Sequence, residues 1–201
     1  MELIGCEIFI MLNPRLFLCP HKLFNMKKLK LDELNRLSVD EYKSSDKHPV
    51  VLVLDNIRSM HNVGAGFRTG DAFKVEKLYL CGVTARPPHR EIHKSALGAE
   101  DSVAWEYFAK TSDAIIRLKE EGYIIASVEQ AEGSQMLQDF APDKNAKYAF
   151  VFGNEVFGVE EDVVALTDIC LEIPQFGTKH SFNVSVTMGI VLWDYAAKVI
   201  L

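Results

Sequence analysis

The sequence predicts an α/β fold with a largely parallel sheet flanked by helices, on three observations. Short apolar runs at residues 50–54, 123–128, 148–152 and 169–173 alternate with segments of helical spacing. The runs are apolar throughout rather than at every second residue, which is the pattern of strands covered on both faces. Two of them end in loops, Gly153-Asn154-Glu155 and residues 174–179. Ligands sit outside the carboxyl ends of parallel strands, so those loops mark the first place to look for a site.

In chain order, residues 1–25 are apolar but lack a basic start and are interrupted by Asn13, Pro14 and Arg15, which argues against a signal peptide or a spanning helix. Met26-Lys27-Lys28 reads as an ordinary start, so residues 1–25 are expected to be an extension dispensable for the chemistry. Residues 26–48 read as a short helical segment, with Leu31, Leu34, Leu37 and Tyr42 at roughly helical spacing and Ser38 as the cap of a second short helix. The domain proper is expected over 49–201. Its first strand, 50–54, ends at Asp55-Asn56, and a helix entered through Asn62 follows to about residue 73, then a strand over 77–81. Residues 83–98, Pro-rich and basic at first, read as a long active loop rather than a packed element. A short strand over 102–107 and a helix from Ser112 to Glu121, stopped at Gly122, lead into the strand 123–128. Beyond the strand 148–152, a short helix is expected over 159–166, a strand over 169–173 and an irregular loop over 174–179. Either Ser181 or Asn183 caps a final helix, 184–201. Ser185, Thr187, Asp194 and Lys198 within it favour a buried or interface helix over a membrane span.

Apolar residues make up 48% and charged residues 25%, ordinary values for a soluble globular protein. Lys and Arg total 22 against 28 for Asp and Glu, a net charge of −6 that argues against indiscriminate nucleic-acid binding. A local basic face is still allowed: Asn56 to Lys94 holds seven Lys/Arg and three acids. The four cysteines, at 6, 19, 81 and 170, show no C-x-x-C pair and no metal-ligand spacing. A reducing, cytoplasmic protein without metal or membrane attachment is expected.

Gly64, Gly66 and Gly70 follow a Val-rich strand and suggest a dinucleotide fingerprint, but the last gap is three residues rather than two, and Gly64 stands nine residues beyond Asp55. A nicotinamide-dependent oxidoreductase is therefore set aside. Each Gly inside a helix costs about 1 kcal/mol relative to Ala, so these three imply close approach by another backbone or a ligand. Arg68 on that helix has two readings, a bidentate grip on a phosphate or carboxylate and a plain surface salt bridge.

Three separated stretches remain: Asn62-Val63-Gly64-x-x-x-Arg68-Thr69, Phe152-Gly153-Asn154-Glu155-x-x-Gly158-Val159, and Ile173-Pro174-Gln175 with Ser181-Phe182-Asn183-Val184-Ser185-Val186. In order and spacing they resemble the motifs of the SpoU/TrmH family of RNA 2′-O-ribose methyltransferases. The resemblance runs from about Val50 to the end and implies a SPOUT-type domain with a C-terminal trefoil knot. It implies S-adenosylmethionine bound in the knot, with Val128, Glu129, Gly153, Asn154, Ile173, Phe182 and Val184 around it. It further implies a homodimer, paired partly through the final helix, that methylates a ribose 2′-hydroxyl in tRNA or rRNA. Arg68 matches the position the family assigns to that hydroxyl. A guanidinium does not readily deprotonate, so Arg68 is expected to hold the 2′-oxygen and a neighbouring phosphate while a phosphate oxygen or water takes the proton. Asn62, Glu155, Ser181 and Asn183 match the other polar positions and are expected to hold Arg68 and the ribose. Arg58, Arg86, Arg90 and Lys94 are expected to grip RNA, since residues 26–48 are too short for a separate RNA-binding domain. Gly66 and Gly70 depart from the family's bulky apolar residue and Ala, which is expected to loosen that helix; Phe182 replaces Leu, and His180 has no assigned role. The alternative is a non-catalytic RNA-binding or assembly factor that retains the fold.

Overall fold

The computed structural model describes residues 26–201, so the expectation for residues 1–25 lies outside the described residues. The chain divides after Arg36 into two units. In the first, residues Leu31–Leu34 make a 3-10 turn rather than an α-helix. The Glu33 carboxylate accepts from the Lys30 N–H at 2.7 Å and pairs with Lys27 at 3.4 Å.

The second unit, Leu37–Leu201, carries the sheet. It opens with α1 (Val39–Ser44), where Ser38 caps as expected: its hydroxyl accepts from the Glu41 N–H at 3.3 Å while Glu41 accepts from the Ser38 N–H at 2.8 Å. Seven strands follow: β1 (His48–Asp55), β2 (Val75–Cys81), β3 (Ala104–Phe108), β4 (Tyr123–Val128), β5 (Gln135–Met136), β6 (Lys147–Phe152) and β7 (Ile169–Glu172). They form one sheet in the order β3-β2-β1-β6-β4-β7-β5, and every pairing is parallel. β5 was not legible in the sequence, because two exposed residues carry no periodicity.

The helices are α2 (Met60–Ala72), α3 (Arg90–Ala96), α4 (Ala99–Ser102), α5 (Thr111–Glu120), α6 (Glu161–Val164) and α7 (Val184–Val199). β1 shows why its run is apolar throughout. Val50, Leu52 and Leu54 enter one core with Phe67 of α2 and Met188 of α7, while Val51 and Val53 enter the other with Ile115 and Leu118 of α5.

Three expectations change here. Helix α2 is entered through Ser59, not Asn62: the Ser59 hydroxyl accepts from the Asn62 N–H at 3.3 Å, and Asn62 lies inside the first turn with its amide directed elsewhere. Residues 83–98 are not one long loop, because α3 occupies most of their second half. His89 Nδ1 accepts from the Glu91 N–H at 3.2 Å, and Ile92 and Ala96 are buried. The Pro pair and the basic residues concealed that short amphipathic stretch. The glycines of α2, finally, do not loosen it. A Cβ at Gly66 would lie 3.3 Å from the Met188 sulfur, and one at Gly70 would lie 2.9 Å from Val75 Cγ2, so their small size lets α2 seat on α7 and β2.

Gly64 is the tightest of the three. A Cβ there would stand 2.1 Å from Ser95 Oγ and 2.4 Å from the Ile92 carbonyl oxygen, so α3 would have to move. Gly64→Ala is therefore expected to lose about 3 kcal/mol of stability in spite of its better helix propensity, read by urea denaturation. A gain in stability would mean that α3 is not seated on α2.

Candidate active site

The carboxyl ends of β4, β6 and β7 open into a cavity of about 600 Å³. Its walls come from three loops: Val128, Glu129 and Gln130 after β4, residues 153–158 after β6, and Ile173, Gln175 and residues 180–184 between β7 and α7. The seven residues expected around a cofactor, Val128, Glu129, Gly153, Asn154, Ile173, Phe182 and Val184, all line it. So do Glu155, Ser181 and Asn183.

The loop after β6 is a closed hoop. The Asn154 N–H donates to the Gly158 carbonyl and the Gly158 N–H to the Asn154 carbonyl, both at 2.9 Å. The Asn154 side-chain oxygen accepts from the N–H groups of Val156 at 2.8 Å and Phe157 at 3.2 Å, while its amide donates to the Asn56 carbonyl at 2.7 Å. Gly153 is required at the neck: a Cβ would lie 2.1 Å from both the Gly158 carbonyl carbon and the Val159 nitrogen. Glu129, arriving from β4, accepts from the Val159 N–H at 2.9 Å and the Gln130 N–H at 2.8 Å. The two loops are thus laced together before any ligand arrives.

Glu155 ties the hoop to α2. Its carboxylate accepts from the backbone N–H groups of Arg58 and Ser59, both at 3.0 Å, and from the Asn62 amide at 2.8 Å. Burial opposes its charge, but these donors outweigh that and hold the carboxyl below its ordinary value of 4.5. The depressed pKa fixes the sign of its pH dependence. The stabilisation from Glu155 is complete above pH 4.5 and is lost as pH falls through the depressed value. Glu155→Gln turns an amide N–H towards backbone donors. It is expected to lower the thermal midpoint at neutral pH, with the gap to wild type closing in acid; a gap independent of pH would contradict the carboxylate's role.

On the third wall, Asn183 rather than Ser181 caps α7, its side-chain oxygen accepting from the Ser185 N–H at 2.8 Å and the Ser185 hydroxyl at 2.5 Å. The Gln130 amide donates to the His180 carbonyl at 2.7 Å, joining this loop to the first. Sequence reasoning missed the turn at Asn56, which has φ 55° and donates to Asp55 and Glu160, each at 3.0 Å. An Asp-Asn pair at a strand end was its signal.

Arg68 is not gathered into this cavity. It lies six residues beyond Asn62, and at about 100° per residue this carries it about 240° around α2 from the side that meets Glu155. Its side chain is exposed, with no hydrogen bond or ion pair among the described residues. Arg58, Arg86, Arg90 and Lys94 are exposed too, and none lines the cavity. The Arg86 guanidinium lies 4.2 Å from the centre of the Tyr107 ring, and Lys94 pairs with Glu91 at 2.7 Å. The lining itself carries two carboxylates, Glu129 and Glu155, and no Lys or Arg. That charge suits a cationic ligand and disfavours a pyrophosphate. No helix among the described residues is long and apolar enough to cross a membrane.

Residues 49–193 match the profile of the SpoU rRNA Methylase family. The 23S rRNA (guanosine-2'-O-)-methyltransferase RlmB of Neisseria meningitidis is 31% identical over 153 residues, 76% of this chain and 60% of that protein's length. The tRNA (guanosine(18)-2'-O)-methyltransferase of Thermus thermophilus is 26% identical over 162 residues, 81% of each chain. The solved Aquifex aeolicus TrmH/SpoU tRNA modifying enzyme superposes with a TM-score of 0.71 at 24% identity over 80% of each chain. The AdoMet-bound rRNA methyltransferase from Sinorhizobium meliloti gives a TM-score of 0.70 at 24% identity over 83% of this chain and 62% of that one; both likenesses speak for the fold. With the profile spanning the sheet from β1 and most of α7, and its three motif stretches forming or adjoining the cavity, the chain belongs to the SpoU rRNA Methylase family.

Proposed function

We propose that this protein methylates a ribose 2′-hydroxyl in tRNA or rRNA, using S-adenosylmethionine. The observation that carries this is the cavity at the ends of β4, β6 and β7, which is acidic and free of Lys and Arg. When bound, S-adenosylmethionine supplies an electrophilic methyl group on a positively charged sulfur, and Glu129 and Glu155 suit that charge. Gly153, Asn154, Ile173 and Val184 would hold it by backbone and apolar contact, with Phe182 against the adenine and Val128 on the first wall. A dinucleotide would instead need cations or a glycine turn directly after β1, and neither is at hand.

The protein's own task is alignment and charge control. Arg68 holds the 2′-oxygen and a neighbouring phosphate and stabilises negative charge as the oxygen attacks, while a phosphate oxygen or water takes the proton. Glu155 keeps Asn62 and the start of α2 in place, and Ser181 and Asn183 contact the ribose. Arg58, Arg86, Arg90 and Lys94 grip the RNA backbone, Arg86 with its plane set by Tyr107.

The working unit in this reading is a cytoplasmic homodimer. Two features support the dimer: α7 leaves Val186 49% and Trp193 58% exposed, and Arg68 stands exposed and unpartnered among the described residues. Arg68 then completes the cavity of the second copy. The C-terminal segment is assigned the family's trefoil knot, in keeping with a sheet in which β7 lies outside β4 while α7 returns to pack on α2. Residues 49–201 are the methyltransferase domain, 26–48 a short helical segment and 1–25 an extension.

RNA from cells lacking the protein, incubated with the purified chain and methyl-labelled S-adenosylmethionine, tests this. After digestion to nucleosides, label is expected in 2′-O-methyl nucleosides. Label on a base would make the protein a base methyltransferase instead, and the absence of any methylated RNA would favour the non-catalytic assembly-factor reading.

A further inference from the structure

We infer that Phe157 is the stacking platform for the base of the methylated nucleotide, an inference that rests on the function proposed above. The residue is 81% exposed, yet it lines the cavity. A single exposed ring would need no explanation, but Val156, Phe157 and Phe182 are all exposed and line the same cavity, and an apolar cluster of that kind marks a binding surface.

The hoop explains why it cannot fold away. Asn154 and Gly158 clasp each other, and the Asn154 side chain takes the N–H of Phe157 itself at 3.2 Å. Gly158, with φ 73°, takes a conformation that favours glycine, and a Cβ there would displace the Glu129 carboxylate, 2.1 Å away, from its bond to the Val159 N–H. The ring is therefore presented by a fixed backbone rather than by a wandering loop.

Chemistry fixes what meets it. For transfer, the 2′-oxygen must lie about 3 Å from the methyl carbon, so the ribose enters the cavity mouth. The base hangs from the carbon next to the one that bears that oxygen, so it must settle on the rim. The N–H groups of Asn154, Val156, Phe157 and Gly158 and the Asn154 side chain are already engaged in the hoop's own turn, and the Phe157 ring adds a flat apolar face that this part of the rim can offer a base. Phe176, 96% exposed and next to the lining residue Gln175, sets a second ring on the adjoining loop, suited to a flanking base. Stacking on such rings tolerates any base, so Phe157 adds affinity and position without reading sequence.

The test uses the full chain as wild type, Phe157→Ala and Phe157→Tyr, with RNA from cells lacking the protein as substrate. Initial rates against RNA concentration, calorimetric affinity for S-adenosylmethionine, and sedimentation mass are measured for each. Phe157→Ala is expected to raise KM for RNA about 5- to 150-fold, with cofactor affinity and mass unchanged, and Phe157→Tyr to behave as wild type. An unchanged KM in folded Phe157→Ala overturns the proposal. So does a loss of dimer mass, which would place the ring between two copies of the chain, or a loss of cofactor affinity, which would place it in the cofactor's own pocket. Should wild type methylate none of this RNA, the proposed function fails separately. Filter binding of the same RNA to wild type and Phe157→Ala then still decides whether the ring takes a base.

Discussion

Arg68→Ala is expected to lower methyl transfer about 100- to 1,000-fold while leaving S-adenosylmethionine affinity nearly intact, the loss seen on removing one group that stabilises developing negative charge. The split follows from position: the side chain is exposed on α2 and contributes nothing to the lining of its own chain's cavity. A radiolabel transfer assay and a calorimetric titration read the two halves. Wild-type turnover in the variant would remove Arg68 from the site.

The second large effect is expected from Gly153→Ala. The added Cβ would press on the backbone of Gly158 and Val159 at 2.1 Å, and no side-chain rotation relieves a contact with backbone. The hoop must open, and the floor of the cavity moves with it. A displacement of this order is expected to weaken S-adenosylmethionine binding about 100-fold, at a cost in stability of about 1–3 kcal/mol. A folded variant with wild-type cofactor affinity would mean that the ligand does not rest on this loop.

The two variants together probe the dimer. At S-adenosylmethionine concentrations too low to fill the Gly153→Ala cavity each is nearly inactive alone, but mixed and allowed to exchange subunits they form a hybrid. In it the intact cavity of the Arg68→Ala chain faces the intact Arg68 of the other. Random pairing then restores about a quarter of the wild-type sites in a symmetric dimer. Were Arg68 to serve its own chain's cavity, mixing would restore nothing.

Much of this was legible in the residues. The continuous apolar runs around Val53 and Val151 gave a sheet covered on both faces, because a strand shows its surroundings in its own alternation. Gly153, Asn154 and Glu155 could be placed at a strand end, since a strand that stops at Gly announces a turn. What stayed hidden has physical reasons. The helix α3 lay behind Pro87 and Pro88, whose loop signal outweighed the two buried positions, Ile92 and Ala96. The six-residue spacing sets the phase of Arg68 against Asn62 only if both are helical, and taking Asn62 rather than Ser59 as the entry left the partners of Asn62 undecided. Phe157 drew no notice, because an exposed ring within a tight hoop is apparent only once the backbone that presents it has been traced.

The most direct measurement is a crystal structure of the protein with S-adenosylmethionine. The account predicts the ligand in the cavity bounded by Gly153, Ile173 and Phe182, with the Arg68 guanidinium of the second copy at its mouth. Ligand bound elsewhere, or Arg68 of both copies pointing away from the methyl group, would contradict it.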